Sequence, residues 1–346
     1  MSRARRRSKD EAQARLLSLW ERREEHGEPI GCVATTYTFD GPFFEEHCLG
    51  RFVGMDTSPD ESGAAYLIER EERLSQIVAC VLLDRACVTA KRSLRWHQVP
   101  IRVPGGGIQH SKVTLLAWER LIRVLVSSAN LTEPGYRRNH EQVGVLDFTP
   151  DAGPPRQLLA EVAGFLRMVT SFQPRGADGE GPGQALETLL RHVESVAAAW
   201  PDRSWPRGEP KALFMPVLPG GRSLLERLRT DAWPGAGPQS VRVMSPFFDD
   251  GDRAPRVLAH LVEQMAAQGE RTINFLTSGH ELPDGTVELP MPETYRKPGS
   301  RCEHAFWSVP AMTESGDARS LHAKMLSFWR ERRAAHCIGS SNFTAA

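Results

Sequence analysis

The chain of 346 residues lacks several features that mark particular classes of protein. Its 43 Lys and Arg are balanced by 43 Asp and Glu, so the net charge gives no argument for a nucleic-acid partner and any anion site has to be local. The apolar runs fall well short of a membrane span. Its six cysteines form no CxxC pair and have no metal-ligand spacing, which favours reduced thiols in a cytoplasmic protein. We predict neither a metal nor a cofactor.

The N-terminal segment MSRARRRSKDEAQARLLSLW is basic at its start, but it is not a secretory signal. Acidic residues follow the arginines directly, and no apolar segment leads to a small-residue cleavage site. Such a basic segment either contacts nucleic acid or an anionic membrane, or is a solvated helix start or disordered arm. We favour the second interpretation because charge runs are usually solvated. Residues 1–29 are therefore predicted to be a basic N-terminal tail or helix.

What the chain does contain is one motif, twice. Each copy has a histidine, a lysine two residues later, and an asparagine that lies equally far beyond the histidine in both copies, with a serine two residues before it. The two sets are His110, Lys112, Ser128 and Asn130, and His322, Lys324, Ser340 and Asn342. Both copies end in Ser-x-Asn-hydrophobic-Thr after an apolar run. Chance is a poor explanation for two matches at equal spacing.

The alternation around each His-x-Lys predicts a strand that carries both residues on one face, because residues i and i+2 of a strand point the same way. A second strand, IRVLVSS in the first copy and AAHCIGS in the second, is predicted to bring the asparagine and serine beside them. The sequence thus predicts two clusters of imidazole, ammonium, amide and hydroxyl groups.

The surrounding segments repeat as well, in an α/β pattern. Residues 32–40 predict a strand that leads into a helix near Pro42, and VRVMSPFFDD predicts the same arrangement in the second copy. Asp40 precedes His110 at nearly the same spacing as Asp249 precedes His322. We predict a first half over residues 30–172, a Pro/Gly-rich linker with a helix over 173–210, and a second half over 211–346.

Only the first copy continues past its asparagine, through EPGYRRNHEQVGVLDF, which predicts a turn and one more strand near Glu141. The chain stops two residues after Thr344. Either the second half is truncated at its C-terminus, or it lacks a counterpart of that strand; the sequence leaves both alternatives open.

The paired His-x-Lys and Ser-x-Asn motifs resemble those of the phospholipase D superfamily, over about residues 30–346. The resemblance implies two pseudo-symmetric α/β halves, each a mixed β-sheet flanked by helices, with one active site between them. The family's Asp, five residues after the Lys, is replaced here by Ala117 and Trp329. Without this Asp, the motif resembles that of the tyrosyl-DNA phosphodiesterase branch. In contrast, Asn139 and Glu141 resemble the Asn-x-Glu that follows the motif in bacterial nucleases and phospholipases of the superfamily. We expect a nuclease-like relative outside both branches.

These residue types suit a phosphodiester. Lysines balance charge on the non-bridging oxygens, and amides and hydroxyls donate directed hydrogen bonds. One histidine attacks phosphorus and the other protonates the leaving oxygen and then activates water. The resemblance implies that His110 is the nucleophile, that His322 is the acid/base, and that Glu141 orients His322. A plain surface position for Glu141 is an equal alternative. The acid that matches His110 would fall at or beyond the end of the chain.

The leading hypothesis is a cytoplasmic, metal-independent phosphodiesterase that acts on nucleic acid through a phosphohistidine, as a nuclease or in DNA 3′-end or adduct processing. Two alternatives stay open: a phospholipase D-type lipid phosphodiesterase, and a nucleic-acid-binding module with a disabled site and protein partners in a defence or repair assembly. A monomer carries both sets, so it can in principle form the site. Arginines that could guide a polyanion are Arg137, Arg138, Arg301, Arg319, and Arg330, Arg332 and Arg333 within residues 330–333.

Two further features have a structural and a functional interpretation. The segment PGGGIQH, residues 104–110, is predicted to be a turn rather than a phosphate cradle. Five phenylalanines near strand ends either line a base-stacking groove or belong to the core. They are Phe39, Phe43, Phe44, Phe247 and Phe248.

Overall fold

The computed structural model of the chain describes residues 16–89, 93–174, 181–249, 251, 253–296, 302–310 and 319–344. The predicted basic tail lies outside the described residues over 1–15, and so does Arg301. The chain divides into two compact units. The first is Met1–Leu125 with Asn130–Arg137 and Val145–Phe214, and the second is Val126–Ala129 with Arg138–Gly144 and Met215–Ala346.

The first sheet is mixed and has six strands in the order β3-β2-β1-β4-β5-β6. The strands are β1 (Pro29–Thr36), β2 (Val78–Asp84), β3 (His97–Ile101), β4 (Val113–Trp118), β5 (Ile122–Ser127) and β6 (Val143–Phe148). Strands β1, β2 and β3 are parallel, and β1 pairs antiparallel with β4 in the register Ala34 opposite Thr114. The predicted strand near Glu141 is β6.

The second sheet repeats this topology with five strands in the order β11-β8-β7-β12-β13. These are β7 (Ser240–Met244), β8 (Thr272–Ser278), β11 (Glu303–Val309), β12 (Met325–Arg330) and β13 (Arg333–Ile338), while β9 (His280–Glu281) and β10 (Val287–Glu288) form a separate pair. Strands β7, β8 and β11 are parallel, and β12 is antiparallel to β7 and β13. The predicted α/β repeat is confirmed by the matching strand orders.

Helices connect and cover these strands. The α-helices are Gly41–Phe43, Gly50–Val53, Pro59–Leu74, Glu133–Arg137, Arg156–Thr170, Gly181–Ala198, Leu224–Arg227 and Arg253–Gln264. Phe44–Leu49 and Leu228–Ala232 are π-helical, and the 3₁₀ helices are Leu16–Trp20, Glu24–His26, Arg85–Cys87, Pro104–Gly106 and Glu293–Arg296. None of the described helices is both long and apolar enough to cross a membrane.

The helix predicted near Pro42 begins at Gly41, because Asp40 caps it. The Phe43 N–H donates to Asp40 Oδ1 at 3.1 Å, and proline suits the first helical positions, where an N–H would have no partner within the helix. This cap fixes the chain where it leaves β1, directly after the residues that build the site.

The core of the first unit forms around its central strands. Every residue of β4 is buried, as is the segment from Cys32 to Thr36, in keeping with strands that are covered on both faces. The helix Gly181–Ala198 packs against this sheet: a Cβ on Gly31 would lie 2.7 Å from Leu189 and 2.5 Å from the backbone oxygen of Val78. The helix predicted within the linker is therefore an integral part of the first unit.

The core of the second unit is rich in aromatic side chains. Trp233, Phe275, Tyr295 and Phe328 are almost fully buried with aliphatic residues of β7 and of the helix Arg253–Gln264. The rings of Phe275 and Tyr295 stack at 5.3 Å. This cluster supports the strands from which the second motif emerges.

Candidate active site

Each unit carries one His-x-Lys pair, and both pairs stand directly before a strand rather than within it. Strand β4 begins at Val113 and β12 begins at Met325, one residue after each lysine. The prediction that the pairs lie on the strands is therefore wrong. The hydrogen bonds between strands do not extend to these residues, because the backbone N–H groups there bond to groups outside the sheet.

In the first unit a threonine side chain takes that place. Thr35 Oγ1 accepts from the Val113 N–H at 2.8 Å and from the Ser111 hydroxyl at 3.0 Å. The Gln109 N–H donates to Asp84 Oδ2 at 2.8 Å. The segment around His110 is thus anchored to the ends of β1 and β2 by side chains.

The lysine of the first set is buried and its ammonium turns back on its own segment. Lys112 is 4 % exposed, and its Nζ donates to the carbonyl of His110 at 2.8 Å. The ring of His110 lies 5.4 Å from that of Tyr37, which follows β1. The Lys112 side chain therefore bonds to the backbone of His110, and the predicted shared strand face is absent because both residues precede β4.

Asn130 is held by the segment that follows β1. The Tyr37 N–H donates to Asn130 Oδ1 at 3.3 Å, and the Leu131 N–H donates to Thr36 Oγ1 at 3.0 Å. A Cβ on Gly135 would lie 2.4 Å from the Asn130 carbonyl oxygen, so only glycine fits there. Since its amide oxygen already has a donor, Asn130 has its NH₂ group for an anionic ligand.

The second set is built by a backbone contact to the segment before β6. The N–H groups of His322 and Ala323 donate to the carbonyl of His140 at 3.0 and 2.8 Å, and His140 forms a parallel bridge with Leu321. The lysine again turns back, because Lys324 Nζ donates to the His322 carbonyl at 2.6 Å. The two sets therefore share the same lysine contact.

Lys324 is more strongly perturbed than an ordinary lysine. It is 2 % exposed, and burial lowers the pKa of its ammonium to about 8, although the charge of Glu141 opposes that shift. A cation in such a position is ready to receive an anion, because an anionic ligand would replace the hydration it has lost.

Glu141 contacts the histidine of the second set. Its Oε1 lies 2.7 Å from His322 Nδ1, and its side chain is 4 % exposed. Asn139 Nδ2 donates to the same oxygen at 3.3 Å, and Ser128 Oγ donates to Oε2. With Nδ1 engaged by a carboxylate, Nε2 is the nitrogen that can exchange a proton with a ligand. The contact expected between Glu141 and His322 is present.

The position of Ser128 changes its expected role. We predicted that its hydroxyl donates to a phosphate, but its one proton is directed at Glu141 while its oxygen accepts from the Gln142 N–H at 2.9 Å. Ser128 therefore contacts the carboxylate of Glu141. Its counterpart Ser340 is half-buried.

Asn342 differs from Asn130 in its surroundings. Its Oδ1 is buried and has no hydrogen-bond partner among the described residues. The Phe343 N–H donates to Ser245 Oγ at 3.2 Å, which matches the contact of Leu131 with Thr36. The asparagine segment is thus anchored in both units, but within the described part of the chain the amide oxygen is satisfied only in the first.

Of the five phenylalanines near strand ends, two are buried and two are half-buried against other aromatic rings. Phe43 and Phe44 are buried, Phe39 packs edge-on against Phe44, and Phe248 packs against Tyr295. Phe247 is 56 % exposed; its ring lies 6.5 Å from that of His322 and 6.0 Å from Lys324 Nζ. One exposed aromatic side chain therefore adjoins the second set.

The glycine segment before His110 forms the predicted turn, a 3₁₀ helix over Pro104–Gly106 in which Gly105 and Gly106 have positive φ. Among the described residues, no group of three or more His, Cys, Asp or Glu side chains is arranged to hold a metal ion. The anchors that sequence reasoning missed are Thr35, Thr36, Ser245 and Asp84. A hydroxyl or carboxyl residue at the end of a buried strand was the available signal.

Comparisons with known proteins give distant structural likenesses and little else. No protein-family model and no curated protein matches the chain. Yeast tyrosyl-DNA phosphodiesterase is similar in structure at 9% identity and a TM-score of 0.49, over 94% of this chain and 81% of that one. Polyphosphate kinase from Porphyromonas gingivalis is similar at 12% identity and a TM-score of 0.44, over 95% and 40%. Phosphatidylserine synthase from Haemophilus influenzae Rd KW20 is similar at 12% identity and a TM-score of 0.43, over 93% and 74%. Likenesses at this level assign no activity to the chain.

Proposed function

We propose that the chain is a phosphodiesterase of the phospholipase D superfamily that cleaves nucleic acid through a phosphohistidine and without a metal ion. The observation that carries the proposal is the contact of 2.7 Å between His322 Nδ1 and Glu141, beside the buried ammonium of Lys324. A carboxylate-oriented imidazole next to a buried cation suits a reaction in which an anion is bound and a proton is transferred.

The two sets would act on one phosphodiester. Lys112 and Lys324 balance the charge that develops on the non-bridging oxygens, and the NH₂ group of Asn130 donates to one of them. His110 attacks phosphorus, and the P–O bond to the leaving group breaks as His322 Nε2 gives that oxygen a proton. Because two ammonium groups neutralise the anion, the chemistry requires no metal ion.

His322 is the better candidate for the acid/base, and His110 for the nucleophile. An imidazole whose Nδ1 is held by a carboxylate has its tautomer and orientation fixed, so that its Nε2 can give a proton to a ligand and take one back. In the second step His322 takes a proton from water, and the water oxygen displaces His110 from phosphorus. Glu141 and its neighbours Ser128 and Asn139 then serve as positioning residues.

The exposed ring of Phe247 supports nucleic acid as the substrate. An exposed phenylalanine beside the set of His322 and Lys324 offers a surface on which a base can stack, a contact that all bases can make. Arg137 is an exposed residue of the first unit, and its guanidinium lies 5.6 Å from the Phe43 ring. It follows Asn130 closely in the sequence and adds a positive charge to that segment.

The test is cleavage of end-labelled single- and double-stranded DNA and RNA in excess EDTA. We expect cleavage by the parent, and none by His110→Ala. We also expect a loss of about 10²- to 10⁴-fold for His322→Ala and for Glu141→Gln, the usual contribution of acid/base catalysis. His280→Ala is the matched control, because His280 is an exposed histidine on β9, outside the motifs.

A covalent adduct gives an independent readout. With a diester whose leaving group needs no proton, His322→Ala should accumulate labelled protein after denaturation, because the phosphohistidine then forms without the acid but is resolved slowly without the base, whereas His110→Ala should carry no label. Cleavage by both histidine variants at the parental rate would show that the proposed site is wrong. Cleavage of a phospholipid but of no nucleic acid would replace the substrate class and retain the site.

A further inference from the structure

One face of the second sheet carries polar and aromatic side chains that are open to solvent. The register of the strands aligns one row of residues across all five of them, which consists of Ala305, Asn274, Arg242, Ser327 and His336. Trp307 and Trp329 lie on the same face, because each stands two residues from a member of that row in its own strand. Trp307 is 57 % exposed, and Arg242 and His336 are exposed as well.

The equivalent face of the first unit is buried and apolar. Thr36 and Ser245 make the same hydrogen bond after β1 and β7, and β4 and β12 each begin one residue after the motif lysine. This alignment makes three pairs of positions equivalent, which are Val33 and Arg242, Ala117 and Trp329, and Val124 and His336. The three first-unit residues are fully buried.

A helix covers this face in the first unit. Gly31 stands two residues before Val33 in β1, and a Cβ on Gly31 would lie 2.7 Å from Leu189 of the helix Gly181–Ala198. A guanidinium and an imidazole are unsuited to such an apolar contact, because burial would remove their hydration without a partner. The open face of the second unit therefore suits a polar or charged ligand.

The aromatic side chains of the open face are held in place. Asn274 Oδ1 accepts from Trp307 Nε1 at 3.1 Å, so the indole is fixed while more than half of the residue stays exposed. The Arg242 guanidinium lies 4.8 Å from the Trp329 ring, and the His336 ring lies 5.2 Å from that ring. A ligand that stacks on these groups pays little to order them.

The charge of this face favours an anionic ligand. Arg242 lies in the middle strand of the sheet. Among the residues of the described strands, the single acid on this face is Glu303, two strands away at the start of β11. The planar guanidinium of an exposed arginine matches the geometry of a phosphate.

We propose that this face binds single-stranded nucleic acid, with a base stacked on Trp307 and a phosphate bound to Arg242. Aromatic rings on an open sheet surface stack unpaired bases of any sequence. Three strand spacings and four residues separate Trp307 from Trp329, a distance of about 20 Å that suits a strand of several nucleotides. The inference goes beyond the proposed cleavage, since His322 and Lys324 precede β12 whereas this face lies on the strands themselves.

The experiment measures, by fluorescence anisotropy, the binding of a labelled thymidine homopolymer of about 15 nucleotides to variants made in the His110→Ala background. We expect Trp307→Ala to raise Kd by about 5- to 150-fold, the range for one stacked base, and Trp307→Phe, which keeps a ring, to stay within about threefold. Arg242→Gln should reduce the magnitude of the slope of log K against log salt concentration by about 0.7. Leu94→Ala is the matched control, because it removes a 98 % exposed apolar side chain from the first unit and should leave Kd unchanged.

The outcomes separate this inference from the proposed function. Turnover of a thymidine nitrophenyl phosphodiester should be equal in Trp307→Ala and in the parent, because Trp307 lies outside the motifs. Unchanged oligonucleotide affinity in Trp307→Ala would overturn the inference and leave the proposed cleavage standing. A dimer that Trp307→Ala dissociates without a change in affinity would overturn it too, since the face would then contact a second copy. Weaker binding by Trp307→Ala, together with no diester turnover by the parent, would support the inference and count against the proposed function.

Discussion

Lys324 is a buried ammonium whose protonation sets the charge of the second set. Burial lowers its pKa to about 8, from 10.5 for an ordinary lysine. The group is therefore partly neutral at a mildly alkaline pH, where Lys324 can no longer balance a phosphate charge. The pH dependence of the reaction should follow this residue.

We expect kcat/KM to fall as the pH rises through about 8, because the free enzyme then loses the Lys324 proton. The alkaline limb of kcat should lie at higher pH, because a bound phosphodiester anion stabilises the ammonium. The measurement is a pH–rate profile on a short diester. Lys324→Arg is the control: arginine keeps its charge, so any activity that remains should lose this limb.

The same pKa has the opposite effect on stability. Because the unfolded chain binds the Lys324 proton up to about pH 10.5 and the folded protein only up to about pH 8, unfolding takes up a proton in between. The contribution of Lys324 to the free energy of unfolding therefore rises with pH across that window, whereas activity falls. A stability difference between parent and Lys324→Met that does not change with pH would contradict the assigned pKa.

At the scale of the elements, the helix Gly181–Ala198 depends on a close approach to β1. A Cβ at Gly31 would meet both the Val78 carbonyl and Leu189, at 2.5 and 2.7 Å. Gly31→Ala should lower the free energy of unfolding by about 1–3 kcal/mol, the cost of overpacking. Chemical denaturation measures it.

Gly164→Ala is the matched control for this substitution. Gly164 lies in the helix Arg156–Thr170, and a Cβ there would meet nothing within 4 Å. Alanine should therefore stabilise the protein by up to about 1 kcal/mol through helix propensity. A loss of stability at both positions would mean that packing of the helix on β1 is not the cause.

The sequence predicted the elements well where the signal is local or repeated. Equal spacing of the two motifs predicted the shared topology, and the apolar run after Lys112 predicted β4. The predicted start of that strand was wrong because two side chains that are distant in sequence accept hydrogen bonds from the backbone here. Asp84 accepts from the Gln109 N–H, and Thr35 accepts from the Val113 N–H. Tertiary hydrogen bonds of this kind leave no local pattern.

The candidate active site also depends on tertiary contacts that the sequence does not show. His322 and Glu141 were paired through a family resemblance, and the structure brings them into contact. The difference between Asn130 and Asn342 could not be predicted, because it depends on which backbone N–H lies opposite each amide. That register exists only once the segments after β1 and β7 are folded.

At the scale of the whole molecule, the balance of 43 basic and 43 acidic side chains leaves no general attraction for a polyanion. Two of the arginines predicted to guide nucleic acid have structural contacts. Arg330 donates to the Gly237 carbonyl at 3.2 Å, and Arg333 donates to the Pro234 carbonyl at 2.8 Å and covers the Trp233 ring. Binding of a polyanion should therefore depend on few ionic contacts.

This charge balance predicts that the affinity for nucleic acid depends only weakly on salt concentration. Each phosphate neutralised on a single strand contributes a slope of about −0.7 to log K against log salt concentration. We expect a total slope between about −1 and −3 for an oligonucleotide bound to His110→Ala, the variant that we expect not to cleave it. Adding Lys324→Met should reduce the magnitude by about 0.7, whereas adding Arg333→Ala should leave it unchanged, since that guanidinium is held by carbonyls. A slope much steeper than about −3, or one that does not respond to Lys324, would show that the nucleic acid binds to basic residues outside the two motifs.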